Sequence, residues 1–298
     1  MYELVVILRS FFCIDLICSV LEISKSSFYA WQRSETYVLK ETKEKKAAEV
    51  KEVFTEHRRR YGARRIVADL QEKGYKIGRY QVRSLMKKQD LVSIQPKSFV
   101  PKTTNSKHNL GRSPNLLLDE NGKRKKPIRP LEILVGDITY IPLQNGDFLY
   151  LATFQDMFTR VVLGWELMDT MPTQLTINAL QKAIDRRKLS KHLIIHTDGG
   201  GQYNSNRFRQ LLKAYDFEQS MTRKENHYDN AMGESFFSRS KAEMLEGGKF
   251  GSFEDAYTEI FEYIEVYYNK KRRHSSLNND FPERFEKRYW ENQKNVEL

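Results

Sequence analysis

The chain has 298 residues, 40% hydrophobic and 12% aromatic, with a net charge of +11 and two cysteines. That length allows two or three domains, at least one with a sizeable core. Cys13 and Cys18 are too few for a disulfide framework or a four-cysteine zinc site, and they point to a reducing compartment, the cytoplasm.

Residues 4–23 form an apolar run, but Arg9 and Asp15 inside it would be costly at mid-bilayer, and no positively charged leader precedes it. The run is therefore read as a buried helix and not as a membrane span or signal peptide. It ends near Glu22, and Ser24 is placed to cap a second helix carrying Phe28, Tyr29 and Trp31. In residues 40–60 Lys and Glu alternate, the pattern of a solvated helix face.

Residues 61–91 repeat the helical plan. Ile66 and Leu70 mark one apolar face, Gly74 ends that helix, and Val82, Leu85 and Met86 mark the next. Arg64, Arg65, Arg79, Arg83, Lys87 and Lys88 fall outside, which suits a helix-turn-helix DNA reader. Helical hairpins are common, so it is the charge that points to DNA. Residues 40–130 carry 25 Lys and Arg against 10 Asp and Glu, while the remainder is slightly acidic. Clusters such as 57–65 (HRRRYGARR) and 123–129 (KRKKPIR) would attract a polyphosphate backbone. Residues 93–130 hold Pro96, Pro101, Pro114, Pro127 and Pro130 and read as an extended basic linker.

The texture then changes. Three β-rich runs at 131–143, 147–158 and 160–169, with short joins, predict antiparallel hairpins. A helix at 174–187, a strand at 193–197, a helix near 205–215, a strand at 217–221 and helices near 230–245 and 253–268 follow. This is a mixed α/β sheet with flanking helices.

Within it, Asp137 lies mid-strand between apolar neighbours, where an isolated charge is prohibitive unless paired, protonated or bound to a cation. Asp198 ends the strand 193–197 and is followed by Gly199, Gly200 and Gly201. Glu234 lies on a helix that Asp229 or Asn230 can cap, with Asn230, Ser238 and Lys241 on its face. Three carboxylates beside a basic region suit a divalent-cation site for phosphoryl transfer. The alternative is three separate structural roles, Asp198 in a turn and Glu234 on a solvated face. His192 and His196, at a strand entry, are read as structural.

Four stretches resemble the insertion-sequence transposases of the retroviral-integrase-like D-D-E superfamily, specifically the integrase-type product of a second, frameshift-fused reading frame. They are VGDITYIP (135–142), IIHTDGGGQYNS (194–205), YDNAMGESFFSRSKAEM (228–244) and YNKKRRHSSLNNDFPERF (268–285). The resemblance implies an RNase H-like catalytic core over 131–285. Before it come N-terminal helix-turn-helix-like helices (1–36), a basic helix-turn-helix segment (37–92) and the linker (93–130); a tail (286–298) follows.

It further implies that Asp137, Asp198 and Glu234 bind two Mg²⁺ (or Mn²⁺) ions for cleavage at the element's 3′ end. The freed 3′-OH would then attack target DNA. By the same resemblance Lys241 contacts the element end and Asn230 orients the site. Tyr140, Gln202 and Tyr203 shape it, and Arg272 and Arg273 join the DNA contacts. Partners would be the element ends and target DNA, further copies of the chain in a paired-end complex, and an upstream-frame helix-turn-helix protein. Gly199 departs from the Arg or Gln common in the family, and Glu225 and His227 stand where small or aromatic residues are usual. A DNA nuclease or resolvase with the same core, and a catalytically silent DNA-binding relative, are the rival readings.

Overall fold

The computed structural model describes residues 1–33, 35–96, 111–223 and 230–296. Asp229, Glu225, His227 and the 97–110 part of the expected linker, Pro101 included, lie outside them. The chain divides into two units, Met1–Ser93 and Ile94–Leu298.

In the first unit the apolar run at the start of the chain does not make one buried helix. It makes two short ones, α1 (Tyr2–Leu8) and α2 (Ile14–Val20), followed by α3 (Lys25–Gln32). Val5, Ile17 and Phe28 form a small buried centre, while Ile7, Phe11, Phe12, Leu16 and Val20 are exposed. A seven-residue helix presents only one stripe to its neighbours, so a run apolar on all sides leaves the rest in water. Ser24 stands at the start of α3, but its hydroxyl pairs with that of Ser26 at 2.6 Å and no side-chain cap forms. Among the described residues no helix is long and apolar enough to cross a membrane.

The same unit continues with α4 (Glu35–Glu56), α5 (Ala63–Glu72) and α6 (Arg79–Lys88). Val50, Val53, Ile66, Leu70, Val82 and Met86 are buried between them. At the α4–α5 corner His57 stacks on Tyr61, ring centroids 3.6 Å apart, and its Nε2 meets the buried Asp69 carboxylate at 2.9 Å. Gly74, at φ +88°, makes the left-handed turn after α5 that a side chain would resist.

The second unit is built on a five-stranded mixed sheet. Strands β1 (Ile133–Pro142), β2 (Phe148–Asp156) and β3 (Val162–Met168) are antiparallel neighbours. Asn145 and Gly146 turn β1 into β2, with Gly146 at φ +97°. Helix α7 (Thr173–Arg186) packs across β2 and β3, and Gly164 lets it come close: a Cβ there would lie 2.6 Å from the Ala183 nitrogen. Strand β4 (Ile194–Thr197), the short helices α8 (Gly201–Asn204) and α9 (Asn206–Ala214), and strand β5 (Glu218–Met221) follow. β4 and β5 run parallel to β1, giving the order β3-β2-β1-β4-β5. Leu134, Phe154, Leu180, Ile195 and Phe208 centre the core on one face.

Helix α10 (Ala231–Leu245) packs on β1, and α11 (Phe253–Phe261) runs on into a π-helical turn, Glu262–Tyr268. Helix α12 (Pro282–Val296) closes the described chain and corrects the expected tail at 286–298. Phe285 and Tyr289 pack on Phe158, and the buried Glu286 meets Arg187 at 3.3 Å, so this helix buries a face of its own.

The expected linker is also corrected from residue 111 onward, where the chain is fastened along the edge strand β5. The Met221 N–H donates to the Pro114 carbonyl at 3.1 Å and the Leu116 N–H to the Ser220 hydroxyl at 2.9 Å, with Leu117 buried. An edge strand leaves backbone groups unpaired, and a polar segment with few side-chain demands can cover them.

Candidate active site

The β1–β4 register decides where the first two acids stand. Ile133 pairs with Ile194, Leu134 with Ile195 and Val135 with His196. Carried two residues further, the same offset sets Asp137 level with Asp198, each at the carboxyl end of the β1–β4 pairing. Side chains alternate along β1, so Asp137 shares a face with the buried Val135, Thr139 and Ile141. Across the antiparallel pair it faces Thr153.

Helix α10 lies on that face. Gly233 packs so closely that a Cβ there would stand 2.6 Å from Asp137 Oδ2 and 2.9 Å from its Cβ. Asn230, buried at the start of α10, does not cap the helix. Its side chain instead hydrogen-bonds to Asp137, while its Oδ1 is buried with no hydrogen-bond partner. Asp137 Oδ1 accepts from the Ile138 N–H at 3.0 Å, and Asp198 Oδ1 accepts from the Gly200 N–H at 3.0 Å. Glu234 sits exposed in the first turn of α10.

The electrostatics follow from this crowding. Burial first, then the charge of Asp198, push the Asp137 carboxyl well above the ordinary carboxylate range. The Ile138 N–H and Asn230 oppose that shift, and Glu234 adds a further push upward. Lys241, half-buried on α10, has its pKa lowered by burial, with the Asp137 charge opposing. Asp137 and Asp198 stand level, but among the described residues no three His, Cys, Asp or Glu side chains form a group that could hold a metal ion.

The supporting residues divide. Tyr203 is buried between Phe154 and Phe208, its hydroxyl without a hydrogen-bond partner, and the charges of Asp137 and Asp198 add to burial in raising its pKa. Gln202 donates to the Met171 carbonyl at 3.1 Å, tying α8 to the segment before α7. Tyr140, an odd number of residues from Asp137, points to the other face of β1, where it packs edge-on against Tyr150 and Phe148. It does not line the acids. His196 is buried, with Nδ1 2.9 Å from the Ser220 hydroxyl, and His192 pairs with Glu218 at 3.2 Å, both tying β4 to β5.

Comparison with known proteins extends this picture. An integrase core domain family matches residues 127–227, a second integrase core domain family matches 234–288, and an HTH-like domain family matches 41–99. A 31 kDa protein of insertion element IS600 from Shigella sonnei is 36% identical over 272 residues, 91% of this chain and 98% of that one. The transposase InsF for insertion sequence IS3A of Escherichia coli K12 is 36% identical over 280 residues, 92% and 94% of the two chains. The chain belongs to the insertion-sequence transposases. Among solved structures, the HTLV-2 integrase catalytic core domain in complex with magnesium overlaps 54% of this chain and 99% of that one, at 16% identity and a TM-score of 0.41.

In this transposase the expected DNA contacts also divide. Arg64, Arg79, Arg83, Lys87 and Lys88 are exposed on α5 and α6, with Arg79, Arg83 and Lys87 at helical spacing on one face. Arg65 is half-buried, lying 5.5 Å over the Tyr61 ring and donating to the Arg60 carbonyl at 3.3 Å. Arg60, from the middle of the 57–65 cluster, is buried.

Arg272 and Arg273 are corrected: they face the interior. Arg272 grips the buried Glu243 with Nε and Nη2 at 2.7 and 2.6 Å, and Tyr263 donates to the same carboxylate at 2.9 Å. Arg273 donates to the Asn279 carbonyl at 2.9 Å and lies 4.8 Å over the Phe281 ring. A guanidinium matched by a buried carboxylate is stable inside, where an unmatched one is not. Sequence reasoning missed Glu243 and Gly233. Their place on the face of α10 turned to the protein, Glu243 nine residues after Glu234, was the available signal.

Proposed function

We propose that Asp137, Asp198 and Glu234 are the catalytic trio of a polynucleotidyl transferase that cuts the 3′ ends of its element and joins them to target DNA. The observation that carries this reading is the β1–β4 register, which, continued two residues past its last pair, sets Asp137, on the strand that α10 packs against, level with Asp198. Two like charges crowded in a partly buried place are costly alone, and oxygen donors of that kind suit a hard divalent cation, Mg²⁺ or Mn²⁺. The three acids would hold it, as two ions in the full assignment. When bound, it supplies electrostatic polarisation of the attacking and leaving oxygens in phosphoryl transfer.

The chain's own groups do the positioning. Asn230 and the Ile138 N–H fix the Asp137 carboxylate, and the Gly200 N–H fixes that of Asp198. Gly233 keeps α10 close enough for Glu234 to complete the set. Lys241 supplies a cation for the element end. The exposed Arg and Lys of α5 and α6 bind DNA outside the core. The working form is a multimer pairing two DNA ends in the bacterial cytoplasm, assisted by or fused to the upstream-frame protein.

A cleavage and strand-transfer assay on linear DNA carrying the element ends, with and without Mg²⁺ and the upstream-frame protein, tests this reading. Mg²⁺-dependent joined products support it. Hydrolysis alone would instead favour a nuclease or resolvase with the same core.

A further inference from the structure

The segment fastened along β5 brings an arginine to the tip of β4. Arg209 Nη2 holds the Gly111 carbonyl, and the Ser113 hydroxyl donates to Gln219 Oε1 at 2.7 Å. Between these anchors Arg112 donates from Nη2 to the Thr222 carbonyl at 2.9 Å. Its guanidinium then lies directly over Gly199, the residue after Asp198. A Cβ at position 199 would overlap Nη2 and Cζ and stand 2.8 Å from Nε. The bare backbone of Gly199 is therefore the seat that admits this side chain.

Such a seat has a chemical consequence. A guanidinium carries five N–H donors in a rigid fork suited to the oxygens of a phosphate, and the Thr222 carbonyl accounts for one of them. Arg112 is exposed as a residue, and its guanidinium lies over the glycine that follows Asp198. Fixed at its tip, the side chain loses less rotamer freedom on meeting a ligand than a free surface arginine would.

We propose that Arg112 is a binding residue for a phosphodiester of the DNA drawn into the site, and that Gly199 exists in this chain as its seat. The proposal rests on Asp198 being at the reacting centre, and it adds a contact from outside the sheet.

The test uses the full chain as wild type and as Arg112→Ala, Arg112→Lys, Gly199→Ala and the Arg112→Ala/Gly199→Ala double variant. A labelled linear duplex carrying an element end is titrated across a salt series. Joining kinetics in Mg²⁺ and melting temperature are measured alongside.

Arg112→Ala is expected to weaken binding roughly tenfold and to reduce the salt slope by about one. KM for joining should rise more than kcat falls, with the melting temperature unchanged. Arg112→Lys should recover the slope but not all of the affinity. Gly199→Ala should reproduce the Arg112→Ala loss by displacing the guanidinium, and the double variant should lose nothing further. An Arg112→Ala protein that melts lower with an unchanged salt slope overturns the proposal and makes Arg112 a structural anchor. A wild type that binds with this arginine dependence yet never joins DNA contradicts the active-site reading alone.

Discussion

Gly233 of α10 and Asp137 of β1 are in such close contact that a single methyl group would come within 2.6 Å of the carboxylate oxygen. Helix and strand are thereby set in close contact, with Glu234 the next residue along α10. Gly233→Ala should push α10 off the strand, costing about 1–3 kcal/mol of stability from overpacking. Joining should fall further than that loss of folded protein explains. Urea denaturation beside a joining assay at matched folded fraction checks it; full activity at matched fraction would count against α10 positioning the site.

Asp137 carries a stability penalty with a definite sign. Its folded pKa is raised, so the folded state holds the proton more tightly than the unfolded one. Without divalent cation, this group's contribution therefore falls as pH rises from the ordinary aspartate range, about pH 4, toward the raised folded value. Asp137→Asn removes the penalty. The variant should match wild type in acid and become more stable than wild type toward neutral pH, while losing joining. Parallel urea curves from about pH 4 to pH 8 read this directly. A variant less stable than wild type at neutral pH would contradict it.

Arg272 and Glu243 form a pair whose loss should appear in folding and not in DNA binding. Arg272→Ala leaves a buried carboxylate unmatched and should cost about 3–5 kcal/mol. Replacing both partners by apolar residues of similar volume should recover most of it. The salt slope of DNA binding should not move in the folded double variant, and a reduced slope would return Arg272 to the DNA contacts.

Which parts of this were legible follows from how local each signal is. Strands β1 to β3 show in sequence because alternation and the Asn145–Gly146 turn are read within a few residues. Asp198 shows because three glycines follow it. Arg272 and Arg273 misled because a basic run looks the same whether it faces water or turns inward, Arg272 to a carboxylate 29 residues earlier and Arg273 to a backbone carbonyl. The docking of residues 113–117 on β5 rests largely on backbone and hydroxyl contacts, which composition does not reveal. The opening apolar run misled through length: its hydropathy fits one helix, but the chain breaks between Leu8 and Ile14 and leaves Phe11 and Phe12 in water. Helix α12 continues past the last resembling motif, so the resemblance gave no reason to extend the core.

On the first unit, Arg79, Arg83 and Lys87 share the outer face of α6. Replacing each with Ala should weaken DNA binding about equally across sequences and reduce the salt slope by about one for every phosphate that is no longer neutralised. Arg65→Ala should also cost stability, since that side chain covers Tyr61. Anisotropy titrations at several salt concentrations separate the two effects, and an unchanged slope in the triple variant would move the DNA contacts elsewhere.

We propose that the three acids on β1, after β4 and on α10 act together on DNA. Strand transfer by Asp137→Asn, Asp198→Asn and Glu234→Gln, measured in Mg²⁺ beside binding of the element end, tests it most directly. Each variant is expected to bind the end as wild type does and to yield no cleaved or joined product. Wild-type-level joining by any one of the three would contradict it.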